Sequence, residues 1–190
     1  KQKMSNDDVT YNYDINYNCS FKKRGRSIFV NNNFYRGSNS SHQYNDAENI
    51  FYTSPTTITV LNQDRQREAK NLRSTTNVNY RDALNKKIVL KISDNLIYFN
   101  DIDDLTTYEW DPISGKYEIL NSNLSNRLHR RGIKNSGIVG IEYSKKEFHL
   151  SPGINIHAIH IKNNFSKNPA VVQKYFYAFP NLYFYAKSWN

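Results

Sequence analysis

The chain has 190 residues, 38% of them hydrophobic, and carries 26 Lys+Arg against 17 Asp+Glu for a net charge of +9. That length suits one domain with its own core, and a lone Cys19 excludes both an intramolecular disulfide and a Cys-based zinc site. No run approaches ~18 apolar residues and the first residues hold no apolar signal core, so neither a spanning helix nor a membrane partner is expected.

Residues 9–21 alternate without a break. Val9, Tyr11, Tyr13, Ile15, Tyr17, Cys19 and Phe21 fall on one face, and Thr10, Asn12, Asp14, Asn16, Asn18 and Ser20 on the other. Period two predicts a long half-buried strand whose odd-numbered residues face the core and whose other side is wet. The basic turn 22–26 leads into a hairpin through residues 27–35. Residues 36–49 are Ser/Asn-rich and read as loop, and 56–61 read as strand. Residues 64–73, rich in Gln, Arg, Glu, Ala and Lys with Asp64 as cap, are the best helix candidate and would lie on the surface.

Further on, 87–92 and 96–100 read as a hairpin about Asp94-Asn95. Residues 106–110 and 116–120 read as another about the turn 111–115. Residues 124–131 suit one or two helical turns. Strands are expected at 137–143, 147–150 and 154–162. Lys167-Asn168-Pro169 breaks the chain, and Pro180-Asn181 would fold the tail into a last hairpin. The expectation is a mainly β chain: an antiparallel β-sandwich or jelly-roll-like single domain over residues 1–190, with one or two short surface helices.

Eight of the 27 aromatic residues lie in the last sixteen positions. A stretch this aromatic needs cover, and tyrosine rings with polar tips suit interfaces. Tyr175, Tyr177, Phe179, Tyr183, Phe184, Tyr185 and Trp189 are therefore candidate assembly or packing residues. Phe176, Phe179 and Phe184 are expected to be largely buried. The chain also holds 27 Asn, a bias that AT-rich coding alone would produce.

Chemistry is sparse. His149, His157 and His160 lie close in sequence, but 157 and 160 point to opposite faces of a strand unless a bulge intervenes. The apolar pattern shifts phase from Ile154 and Ile156 to Ile159 and Ile161, which admits such a bulge and a joint metal or RNA-cleaving role. The alternative is hydrogen-bonded histidines on a sheet. Asp101, Asp103 and Asp104 lack the Gly and distal Glu of a calcium loop and read as a solvated turn. There is no nucleophile elbow, phosphate loop or CxxC. No catalytic residue, metal or cofactor is expected, and the chain does not read as an enzyme.

One resemblance stands beside these readings. Gly137-Ile138-Val139-Gly140, Tyr143 with Phe148-His149-Leu150, Ile154 with Ile156, and the Lys167-Asn168-Pro169 turn follow the order seen in cypovirus polyhedrins, with a weaker echo over 85–100. The chain resembles that family over residues 133–169. The resemblance implies a non-enzymatic, self-assembling structural protein. It would form the crystalline matrix of viral occlusion bodies in the cytoplasm of infected cells and dissolve in strong alkali. Its partners would be itself and, through the matrix, virions. Two alternatives come from the basic charge and the histidines. One is a nucleic-acid-binding β-protein, such as a small-virus capsid or ribosome-associated protein, with Tyr35-Arg36 and Tyr80-Arg81 as stacking pairs for a base or nucleotide. The other is a small ribonuclease.

Overall fold

The computed structural model describes residues 2–52 and 57–186, so Trp189 of the aromatic tail lies outside the described residues. Eight strands follow in chain order: β1 Gln2–Ser20, β2 Arg26–Phe51, β3 Thr57–Ala83, β4 Ile88–Asp111, β5 Lys116–Leu120, β6 Asn126–Lys145, β7 Phe148–Phe165 and β8 Val171–Ala186. They pair antiparallel in one sheet of order β1-β2-β3-β4-β6-β7-β8, with β5 on β4. The mainly β, antiparallel class read from the sequence is the class the chain adopts.

The strand β5 continues the column of β6. It pairs with β4 over residues 108–111, beyond the point where β6 starts at Asn126, opposite Leu105. The break at 121–125 is sealed onto Thr107, which is fully buried. The Thr107 N–H donates to Ser125 Oγ (2.9 Å) and its hydroxyl to the Leu124 carbonyl (3.2 Å). Its own carbonyl accepts from Asn121 N–H at 2.8 Å. The fold is thus a meander of seven columns. At one end, the turn end, the connections are short: 21–25, 84–87 and 146–147. The strands are long. β3 has 27 residues, about 90 Å of chain, against the usual ~3–10 residues.

Several local expectations are corrected by this ladder. Residues 64–73 lie in β3, not in a helix, and Lys70 there pairs with both Ser38 and Ile102. Ladders on both sides outweigh a helix-forming composition, because strand preference is decided by neighbours more than by intrinsic propensity. Residues 36–49 belong to β2, and Asp94-Asn95 sits inside β4. Residues 122–124 form a turn, and 126–131 are strand. Pro180-Asn181 does not turn: β8 runs straight through it, as an edge strand tolerates a proline. The hairpin turn at 111–115 is where it was expected, with Gly115 at φ 68, and so is the break before β8.

Among the described residues no second layer covers the sheet. Phe99 and Ile161 are the buried hydrophobic side chains among the described residues. The odd-numbered residues of β1 do not face a core: Tyr11 is 64% exposed and Ile15 59%. The accessible surface is 13969 Å², whereas a compact 22.3 kDa protein has about 9,400 Å².

Candidate functional site

Cross-strand partners share a face, so the register sorts the side chains into two surfaces. Tyr11, Arg36, Leu72, Asn100, Arg131, Lys162 and Val172 make one row across all seven columns. Toward the turn end, this face is largely apolar in six of the seven columns, while β3 presents Ser74, Thr76, Val78 and Tyr80. The face carries Tyr13, Ile15 and Tyr17 on β1, Phe34, Val30 and Ile28 on β2, and Leu96, Ile92 and Leu90 on β4. Beyond them come Ile133, Val139 and Ile141 on β6, Ile156 and Ile154 on β7, and Phe176, Leu182 and Phe184 on β8.

The few polar side chains set into this band bond to one another. Asn32 Nδ2 donates to Ser74 Oγ (3.0 Å) and Thr76 Oγ1 (2.8 Å). Asn135 Nδ2 donates to both oxygens of Asp94, at 2.9 and 3.0 Å. Cys19 also lies on this face, half-buried.

The far limit of the apolar band is not level. On β1 the run ends at Val9, two residues beyond the Tyr11 row. On β6 it ends at Ile133, two residues short of that row, and on β8 at Phe176, four residues short. Between the edge strands the limit falls six residues over six steps, an average of one residue per strand, but not evenly: β2 ends at Phe34, two residues short of the row, β3 at Leu72 on it, and β7 at Ala158, four short. Just past the limit a cation or imidazole stands in most columns: Arg36 past Phe34, Lys70 past Leu72, Arg131 past Ile133, His160 past Ala158 and Lys174 past Phe176. Of these, Arg36 and His160 were singled out from the sequence, but for other roles. The signal that would find them is a largely apolar alternating run of 9–11 residues closed by a basic residue, as on β6, β7 and β8.

The opposite face is the more polar one, although Phe29, Ile97, Phe99, Ile159, Ile161 and Phe179 also lie on it. An amide ladder crosses four strands, from Asn95 to Asn77 (2.6 Å), Asn77 to Asn31 (3.2 Å) and Asn31 to Asn16 (2.8 Å). Four of the 27 asparagines thus have a structural place in one ladder. Arg67 grips Asp103 through two bonds of 2.7 and 2.6 Å, which hold that carboxyl below its usual range. Asp104 meets Arg127 at 3.5 Å on the other face. Near the turn end, Arg26 first and Lys23 second hold Asp82 down to about 2.

The aromatic tail divides between the faces. Tyr175, Tyr177, Phe179, Tyr183 and Tyr185 stand on the polar face, and Phe176 and Phe184 on the apolar one. The expected burial of the phenylalanines is not met: Phe176 is 73% exposed, Phe179 45% and Phe184 60%. The edge strand β8 has nothing above it. The histidines are not brought together either. The β6–β7 register is continuous across 154–165, so no bulge intervenes and His157 and His160 lie on opposite faces. His157 stacks on Tyr177, with centroids 4.9 Å apart, and shares a 2.9 Å bond with Ser136 Oγ. His149 bonds Ser144 Oγ at 2.8 Å. Among the described residues no three His, Cys, Asp or Glu side chains gather as metal ligands, and no helix is long and apolar enough to cross a membrane.

No family model and no curated protein matches the chain. Among solved structures it is similar to BauA, the ferric preacinetobactin receptor from Acinetobacter baumannii, with a TM-score of 0.50 and 10% identity. The match covers 95% of this chain and 27% of that one, so the chain spans about a quarter of the receptor's length. At this identity the likeness concerns the fold alone.

Proposed function

We propose that the chain forms a stretch of the wall of a transmembrane β-barrel of the outer-membrane kind, with the apolar face toward lipid and the polar face toward the lumen. The observation that carries this reading is the overall descent of the apolar band from β1 to β8, six residues over six strand steps. With ~3.3 Å per residue and ~4.8 Å between strands, a level band requires strands tilted by about 35°. Barrel strands tilt by roughly 35–45°.

Other observations agree with it. The band is eleven residues long on β1 (9–19), eleven on β6 (133–143) and nine on β8 (176–184), and a tilted strand crosses a bilayer in ~9–11 residues. Polar groups inside the band are hydrogen-bonded, as a medium without water demands. Connections are five residues or fewer at both ends, but at the far end β2 continues thirteen residues past Ser38, a projection on one side of the kind such barrels carry. The edges of β1 and β8 call for further strands, because an open edge is not tolerated in lipid. The role is that of a non-catalytic pore or receptor wall. The test is fractionation of the full-length protein. Recovery in membranes after alkaline carbonate washing, with residues 9–19 protected from protease and the far half of β2–β3 cut, is expected. Recovery as a soluble monomer contradicts the reading.

A second reading is self-assembly into an extended array, such as the occlusion-body matrix implied by the polyhedrin resemblance. The free edges of β1 and β8 favour it: they are unlike, and unlike edges pair head to tail without closing. Ordered particles that form without detergent and dissolve near about pH 10–11, where Tyr and Lys side chains deprotonate, support this reading. Disordered aggregates without detergent speak against it. A role that joins His157 and His160 in RNA cleavage needs both on one face, and they occupy two.

A further inference from the structure

We propose that Arg131, Lys162 and Lys174, with His160, form a docking site on the lipid-facing side for the phosphate of an anionic membrane lipid, in the leaflet at the far end of the strands. The inference rests on the barrel reading and adds to it a lipid class and a position.

The register compacts these side chains into a block. Ile133, His160 and Lys174 share one row, and Arg131 and Lys162 occupy the next row outward. Neighbours in such rows stand ~5 Å apart. Arg131, His160 and Lys174 are exposed and Lys162 is half-buried. None of the three basic side chains makes an ion pair among the described residues. The acids on the same face of β4 are engaged elsewhere, Asp104 with Arg127 and Asp94 with Asn135. A shallow cavity of about 200 Å³ opens between Tyr98, Arg131, Ile133, His160 and Lys162.

Immediately toward the turn end lie Ile133, Ala158 and Phe176, the last rank of the apolar band. Cations over an apolar floor fit one kind of molecule, an amphiphile with an anionic head and acyl chains. Arginine favours phosphate through its planar fork, and lysine adds point charge. The remaining rim cations are unlike this block. Arg36 stands alone in its column, and Lys70 is paired with Glu68 at 3.3 Å. Isolated cations at a bilayer rim need no specific lipid, since long side chains reach the headgroups unaided. Three unpaired cations in adjacent columns concentrate charge that a single phosphate would satisfy.

The test uses full-length protein in vesicles of phosphatidylcholine containing a minor fraction of phosphatidic acid. Bound lipid is measured by native mass spectrometry after extraction into mild detergent, and insertion by carbonate resistance in the same samples. Wild type should retain phosphatidic acid in preference to phosphatidylcholine. R131Q/K162Q/K174Q should lose that preference, by up to about fivefold per cation removed. A control of equal charge change at the turn end, K86Q/K145Q/K146Q, should keep it. Equal retention by wild type and R131Q/K162Q/K174Q, with both inserted, overturns the lipid site and leaves the barrel standing. Equal losses in both triple variants reduce the effect to net charge and also overturn the site. Failure of wild type to insert removes the barrel reading and the site with it.

Discussion

Phe99 on β4 lies across Gly132 on β6, its direct cross-strand partner on the polar face. A Cβ at Gly132 would stand 2.9 Å from Phe99 Cζ and 2.5 Å from the His160 carbonyl oxygen. The ring occupies the space that the glycine leaves and is only 3% exposed. The cations of Arg130 and Lys134 sit 5.2 and 5.8 Å from its centroid. Phe99→Ala should therefore cost about 3–5 kcal/mol, as for a buried ring. Gly132→Ala should also destabilise, because two of its near atoms, the His160 carbonyl oxygen and the Ile161 Cα, are backbone and cannot move aside. Urea unfolding in detergent measures both, and a neutral Gly132→Ala would refute the close fit.

Thr107 anchors the break between β5 and β6. Thr107→Val keeps the shape but leaves the Leu124 carbonyl without its donor, at a cost of about 1–3 kcal/mol. Thr107→Ser, which retains the hydroxyl, should recover most of that loss. If valine and serine behave alike in the same unfolding assay, the hydrogen bond is not what matters there.

Depth should govern substitutions on the apolar face. Val139 lies near the middle of the β6 run and Ile133 at its limit. Val139→Arg should cost about 2–4 kcal/mol and Ile133→Arg no more than about 1 kcal/mol. Refolding equilibria in bilayers give these values. Equal penalties at both positions would show that no hydrocarbon gradient runs along the strand.

Acid should weaken the turn end. Asp82 is held down to about 2 by Arg26 and Lys23, below its unperturbed 3.8. A carboxylate depressed in the folded state contributes stability that is present above its unfolded pKa and lost as pH falls through the folded one. The unfolding midpoint of wild type should thus decline between about pH 4 and about pH 2, and Asp82→Asn should flatten that decline. An unchanged acid limb in Asp82→Asn would mean the ion pairs do not couple to folding.

The sequence made the strand at residues 9–21 plain, because thirteen residues alternate without exception. What covers its apolar side was not legible. Alternation looks the same whether the apolar residues meet a protein core or lipid, and a search for ~18 continuous apolar residues finds helices only. The break at 111–115 was readable from Pro112 and Gly115. Residues 64–73 were not readable as strand, since Gln, Arg, Glu, Ala and Lys are helix formers and the pairing that decides their state comes from Ser38 and Ile102, distant in sequence. Asp94-Asn95 resembled a turn because the partners Asn135 and Asn77, which satisfy them inside β4, are equally remote. The cation staircase was invisible for a related reason. Lys70 and Lys174 are ordinary surface residues until the register sets them beside the apolar band.

The tilted wall is tested most directly by the depth of three labels. With Cys19 replaced by Ser, single cysteines at Val9, Ile133 and Phe176 would each carry a fluorophore, and quenching by lipids labelled at known depths would locate them in vesicles. A fourth label at His129 lies in the same sheet row as Val9. The tilted barrel predicts that Val9, Ile133 and Phe176 share one depth at the bilayer rim, while His129 lies outside it in water. Equal depth for Val9 and His129, with Ile133 deeper, or no quenching at any position, would contradict it.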